Sequence, residues 1–276
     1  MRRITAAACL LACLALPVLA EEQPKEQSDW SWQISLGLSA WDEKSLLKGS
    51  PGNSELPVLP TLQIDVSYKD FFVETPSRRL TSLSNYALLG YHIYQDEQWQ
   101  IDAINGSYMP ILSETGYSQH GLEVIEELRG IEERDSDGSL GIRIQRFDAN
   151  RHYSIEIARD FSGSYNDFLL QAYYNYIIQA RNWDIQLTLG LNLYSRDLVD
   201  YYFGIRPSEA TPTRPVYQGK AAYRLHFGIS SLYPINEKWL LELGFGVSQY
   251  SRGVSDSPIV ASDMETLGMV NVRYVF

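Results

Sequence analysis

The sequence predicts an all-β protein, a single transmembrane antiparallel β-barrel of about 12 strands. Three observations carry that expectation. Apolar and polar residues alternate with a period of two over many segments. The connections between those segments alternate strictly between short and long. Aromatic residues recur at the same end of successive segments.

The alternation begins at Trp30. Trp30, Trp32, Ile34, Leu36, Leu38 and Ala40 interleave with Ser31, Gln33, Ser35, Gly37 and Ser39, which a strand places on opposite faces. One such strand also fits a globular sandwich. The pattern repeats, however, at Leu62–Tyr68, Tyr86–Tyr94, Trp99–Tyr108, Leu140–Ile144, Tyr153–Ile157, Leu170–Ile178, Trp183–Leu193, Tyr223–Ile229, Trp239–Val247 and Val270–Phe276. A short segment, Phe71–Thr75, is needed to make the count even, as single-chain bacterial barrels require. The short connections are 69–70, 95–98, 148–151, 180–182 and 234–238. The long ones are 42–58, 76–85, 109–137, 161–167, 195–219 and 251–265. Short turns belong on the periplasmic side of an outer-membrane barrel and long loops outside. Trp30, Trp32, Trp99, Trp183, Trp239 and Phe276 then form an aromatic girdle at the periplasmic interface, with Phe276 at the rim beside Trp30 of the first strand. Residues 122–134 are predicted to form a short amphipathic helix in the longest loop.

The first residues read as a targeting segment. Arg2 and Arg3 precede an apolar run from Ile4 to Leu19, and Val18-Leu19-Ala20 resembles a cleavage site. The expected organisation is a signal peptide over 1–20, cleaved after Ala20, a polar tether over 21–29 and a barrel over 30–276. Leu10-Leu11-Ala12-Cys13 also resembles a lipobox, but apolar sequence continues past Cys13 where a polar tether belongs. Both cysteines, Cys9 and Cys13, lie in this segment, so the exported part carries no disulfide and no cysteine metal site. Of the 23 basic residues, Arg2 and Arg3 leave with the signal, and 21 then face 34 acidic ones, a net of −13. So acidic a surface argues against a nucleic-acid partner. After the signal there is no apolar run of ~18 residues, the length a spanning helix needs.

The inward face is mixed in charge. Asp65, Asp102, Glu156, Asp184 and Glu242 oppose Arg143, Arg224 and Arg273. Pairing outward from the 148–151 turn sets Arg143 opposite Glu156, a lumen ion pair that spares either charge from isolation. A one-signed constriction would suit a selective pore better. His226 is predicted inward near Ser230 and Ser248; a hydrogen-bonding role there outweighs a catalytic one, because serines line most barrels and no nucleophile, base and orienting group stand out together. The sequence therefore predicts no catalytic residue, no cofactor and no metal site. Tyr201, Tyr202, Phe203 and Arg206 are the candidate loop contact, either a surface or lid or an aromatic cluster packed into the barrel mouth.

The block Tyr201-Tyr202-Phe203-Gly204-Ile205, followed by Glu209-Ala210, Pro215-Val216-Tyr217 and Ala221, resembles the pattern before the last three strands of the MipA/OmpV family of outer-membrane proteins (MltA-interacting protein MipA-like). Asp256–Val260 and the Tyr274-Val275-Phe276 ending fit the same family, with weaker matches at Pro57–Phe72 and Leu128–Gly138. The resemblance implies an outer-membrane scaffold, not an enzyme, linking a lytic murein transglycosylase to a murein synthase. Another branch of the family implies the alternative, a porin-like channel for small solutes. An outer-membrane hydrolase is a distant third. The implied partners are outer-membrane lipid, the barrel-assembly machinery through the C-terminal strand, and those two murein enzymes.

Overall fold

The computed structural model describes residues 29–50, 58–75, 87–117 and 124–276. The signal segment 1–20 and tether residues 21–28 lie outside the described residues. The chain forms β1 (Trp30–Lys44), β2 (Val58–Tyr68), β3 (Phe71–Glu74), β4 (Leu88–Gln95), β5 (Trp99–Gly106), β6 (Leu112–Ser113), β7 (Gly116–Tyr117), β8 (Ser139–Asp148), β9 (Arg151–Asp160), β10 (Phe168–Ala180), β11 (Trp183–Tyr194), β12 (Ala222–Pro234), β13 (Trp239–Tyr250) and β14 (Met264–Val275). Two helices, α1 (Arg196–Phe203) and α2 (Arg252–Ser255), lie in the last two long loops.

Twelve of these strands close into one barrel in the order β1-β14-β13-β12-β11-β10-β9-β8-β5-β4-β3-β2, and β6 and β7 pair separately as a hairpin inside the β5–β8 connection. Every neighbouring barrel pair is antiparallel. Closure removes all sheet edges, the only way a sheet can satisfy its backbone in lipid. The short β3 is present and keeps the count even, pairing with β2 over Val66–Tyr68 and with β4 over Leu88–Tyr91.

The two faces sort as the alternation requires. Leu36, Leu38, Ile142, Ile144, Ile155, Ile157, Leu225, Phe227 and Phe245 are exposed on the outer wall. Ser35, Ser39, Asp102, Arg143, Glu156, Asn192, Arg224 and His226 are buried inside.

Two expectations are corrected. Residues 124–134 form no amphipathic helix: only Glu126–Leu128 make one 3-10 turn, and Gly130, at φ 80°, breaks it. The predicted residues 122–123 lie outside the described part. Phe276 does not lie beside Trp30; its N–H donates to the Ile34 carbonyl, and Ser35 stands opposite Val275. Barrel closure demands a staggered register between first and last strands, so β1 starts several residues before the end of β14, and Trp30 stacks on Tyr68 at 4.6 Å instead.

Candidate functional site

The long-loop end is a folded cap. The barrel order places the β1–β2, β5–β8 and β11–β12 loops four strands apart around the ring, so contacts among them cross the mouth. They do meet. A side chain added at Gly49, in the first loop, would strike Ile125 and Glu127 of the second. The second loop is tied to the third: Arg134 Nε donates to the Tyr201 carbonyl at 2.7 Å, and Tyr202 Oη donates to the Asp135 carbonyl at 2.7 Å. The β13–β14 loop joins on both sides, with Lys48 N–H donating to the Ile259 carbonyl and Ser257 Oγ to the Phe203 carbonyl at 2.6 Å. Leu46, Leu128, Leu198, Phe203 and Val254 are at most 1% exposed, although none belongs to a barrel strand. They share one apolar core.

Local sequence sets this geometry. Ser195 caps α1, its Oγ accepting from Leu198 N–H at 3.3 Å, and an acidic residue, Asp197, lies in the first turn, where the helix dipole favours it. The chain leaves α1 at Gly204, where a Cβ would come within 2.2 Å of the Asp200 carbonyl oxygen. Tyr202 and Phe203 thereby turn into the cap core. Tyr201 is partly buried, and its hydroxyl accepts from Asp135 N–H at 3.1 Å. Arg206 is exposed and pairs with Glu132. What an outside molecule would meet of this block is Arg206 and the edge of Tyr201.

A buried polar latch holds the cap. Arg134 and Glu209 form an ion pair at 2.6 Å, both side chains at most 2% exposed. Arg214 donates to the carbonyls of Glu127, Arg129 and Glu209 at 2.8–2.9 Å. Burial pushes the Glu209 carboxyl up, but the Arg206 N–H, the Arg134 guanidinium and the Glu132 N–H all bond its charged form and hold it below the usual value of 4.5. At Asp137 burial prevails and raises the carboxyl above its usual value, even though Ser139, Met109 and Tyr108 donate to it. Sequence reasoning did not find Arg134, Glu209 or Arg214 as a unit, since charged residues in a loop read as solvated.

Below the cap, polar and charged side chains line the lumen wall. Arg143 and Glu156 stand opposite each other across β8 and β9. The guanidinium turns to Asp102 at 2.9 Å and to Glu74, while Glu156 receives the hydroxyl of Tyr108, which belongs to the cap core. Asp102 also meets His92 Nδ1 at 2.7 Å and accepts from Gln100 and Gln145. The chain continues from Gln145 to His152 at 2.9 Å, to Asn175 at 3.0 Å, and on to Gln186 and Thr188. Seven strands, β3, β4, β5 and β8 to β11, are linked by this one network. On the other wall Arg273 pairs with Glu242 at 3.7 Å. His226 Nδ1 lies 3.0 Å from Ser248 Oγ, and among the described residues its buried Nε2 has no protein partner and no carboxylate is bonded to the ring to orient it as hydrolysis would need. Among the described residues no group of three or more His, Cys, Asp or Glu side chains is placed to hold a metal ion.

At the short-turn end aromatic rings pair around the rim. Phe71 meets Tyr91 at 4.9 Å, Trp183 meets Tyr233 at 4.9 Å, Trp239 meets Tyr274 at 5.3 Å and Tyr274 meets Phe276 at 5.0 Å. Trp99 lies against the Arg146 guanidinium at 5.4 Å. Trp32 is 57% exposed on the outer wall. Two-faced aromatic side chains suit the level where hydrocarbon gives way to headgroups.

A closed barrel with an apolar outer wall, an aromatic rim at its short-turn end and long loops at the other is an outer-membrane β-barrel. The chain belongs to the MipA family: the family model described as "MltA-interacting protein MipA" matches residues 27–276. The chain is similar to the 24 kDa outer membrane protein of Pasteurella multocida, at 30% identity over 129 residues, 46% of this chain and 49% of that protein. It is 25% identical over 149 residues to the outer membrane protein OmpV of Vibrio cholerae, covering 54% and 58% of the two chains. These matched stretches span about half the length of those curated relatives. The putative outer membrane protein YiaT of Escherichia coli K12 matches at 22% over 253 residues, 91% of each chain. Among solved structures, the outer membrane channel DcaP of Acinetobacter baumannii aligns with TM-score 0.44 and 10% identity over 94% of this chain and 100% of that one. The NanC porin aligns with TM-score 0.40 and 9% identity over 87% and 98%. The family match and the named outer-membrane relatives, together with the barrel, make the chain a protein of the outer membrane.

Proposed function

We propose that this protein is a structural outer-membrane barrel that anchors murein-processing enzymes, a lytic transglycosylase and a murein synthase, at the periplasmic face of the membrane. The observation that carries this reading is the cap, in which three loops spaced around the ring meet over the mouth and bury a common core. A barrel whose loops meet over the mouth and whose lumen arginines Arg143 and Arg273 are ion-paired is built for permanence rather than passage. The family description, with its named interaction with MltA, supports the choice of partner. The turns are too short to offer a large docking area, so a partner binds the aromatic short-turn rim together with the residues before β1. The aromatic carboxyl terminus on an alternating strand is the feature through which the barrel-assembly machinery receives the chain.

Affinity capture of the full-length tagged protein from cross-linked cells tests this. Recovery of a lytic transglycosylase and a murein synthase is expected. Their repeated absence, with the barrel recovered folded, overturns the reading.

A further inference from the structure

Arginines interrupt the aliphatic outer wall near its edges. Along β8 the outward positions read Leu140, Ile142, Ile144 and then Arg146. A charge facing hydrocarbon is costly, and the cost falls toward zero only near the interface. Arg146 lies in that zone, in register with Trp99 on one side and Tyr153 on the other. The same wall carries a second outward cation, Arg159, in register with Leu140 and set against the Phe168 ring at 5.3 Å. Leu140 and Arg146 are six residues apart on β8, roughly 20 Å along a strand. The two arginines bracket the apolar band.

Arg146 differs from Arg159 in lining a depression. Trp99, Ile144, Arg146, Asp148, Tyr153 and Ile155 border an outer-wall groove of about 410 Å³. The Trp99 ring supports the guanidinium from one side, and Asp148 accepts one hydrogen bond from Nη2 at 3.2 Å. Together these fix the orientation of the planar group. Its other N–H groups have no partner among the described residues. Toward the membrane centre the groove wall is Ile144 and Ile155, both exposed to lipid.

We propose that this groove is a binding site for a phospholipid of the periplasmic leaflet. The phosphodiester oxygens accept hydrogen bonds from the Arg146 guanidinium. Trp99 and Tyr153 flank the headgroup, and an acyl chain lies along Ile144 and Ile155. The chemistry is a phosphate anion at a prepositioned guanidinium joined to an apolar trough. The occupant is a membrane lipid and not free phosphate, because the groove faces the hydrocarbon and most of its lining is apolar or aromatic.

Native mass spectrometry of the full-length exported chain, refolded in maltoside detergent and titrated with palmitoyl-oleoyl phosphatidylglycerol, reads the site. One saturable lipid adduct is expected. Arg146→Gln weakens it roughly tenfold, the loss of a charge-assisted hydrogen bond, and Arg146→Lys retains part of the affinity. Arg159→Gln leaves it unchanged, and excess inorganic phosphate does not displace it. Folding of each variant is checked by the mobility of the unheated barrel on a gel. Trp99→Leu, which keeps the charge but frees the guanidinium, weakens the adduct too and serves if Arg146→Gln does not fold. Equal binding by wild type and both groove variants overturns the proposal. So does an equal loss on Arg159→Gln, or displacement of the lipid by phosphate.

Discussion

The residue that most decides the character of this molecule is Arg134. It joins two loops that rise from the barrel four strands apart, and its ion pair with Glu209 is sealed from solvent. Arg134→Ala leaves the buried Glu209 carboxylate with two backbone N–H donors but no countercharge, which costs up to about 3–5 kcal/mol. The barrel wall does not depend on this pair, so the cost falls on the cap: trypsin should cut faster at the exposed Arg129 while the heat-resistant barrel band persists. Replacing both partners, Arg134→Met with Glu209→Leu, removes the stranded charge and should restore much of the protection. The same pair gives the cap its acid limit. The Glu209 carboxyl titrates below 4.5 in the folded protein, so the stability it contributes is complete above that value and is lost as pH falls through its lower, folded-state value. Asp137, raised by burial, works in the opposite sense: on acidification its protonation comes earlier and favours the folded cap. Hydrogen exchange at the Glu132 and Arg206 amides should therefore stay slow from neutrality down to about pH 4.5 and accelerate, beyond the intrinsic rate change, only below it. Unchanged protection at pH 3 would exclude Glu209 as the latch.

At the scale of the element, strands were legible and loops were not, for one physical reason. A strand in this barrel meets lipid on one face and a polar lumen on the other, so each side chain's polarity reports its direction without knowledge of any partner. The 148–151 turn alone was enough to set Arg143 across from Glu156. It could not show that Arg143 would turn away from Glu156, to Asp102 and Glu74 on the other side of β8, because lumen side chains choose among neighbours on several strands. The offset of Phe276 from Trp30 was hidden likewise, since shear is a property of the closed ring. Segment 124–134 misled because Leu128 and Ile131 have helical spacing, yet they are buried by the other loops, a context that local periodicity does not contain. The lipid–lumen alternation makes a sharp prediction on β8. Ile142→Arg puts a charge on the lipid face and should cost about 2–4 kcal/mol of folding free energy near mid-membrane, read by urea titration in lipid vesicles. At Arg143, one residue along, the chain already carries that side chain, paired and enclosed. A cost near zero for Ile142→Arg would mean that this wall does not face hydrocarbon.

For the whole molecule the decisive question is conduction, and cap and lumen bear on it separately. The cap closes the outer mouth with an apolar core, so ions meet a low-dielectric layer there, where a bare charge is costly. The lumen beneath is lined from β3 to β11 by the Glu74–Arg143–Asp102 cluster and by hydrogen bonds running from His92 to Thr188, and Tyr108 ties the cap to the same wall at Glu156. Opening the mouth therefore needs the cap core to separate, and removing side chains of the network that project from the wall widens the path beneath it. In planar bilayers the wild-type protein should give no conductance steps. Arg134→Ala loosens the first barrier alone and should give at most brief, small openings. Arg134→Ala combined with Arg143→Ala, which removes the centre of the second barrier, should lengthen and enlarge them, more than additively, because the barriers lie in series. Stable, reproducible steps from the wild-type protein would overturn the structural reading in favour of a porin-like channel for small solutes. Silence from the double variant, with its barrel folded, would show that the lumen is blocked by more than these two barriers.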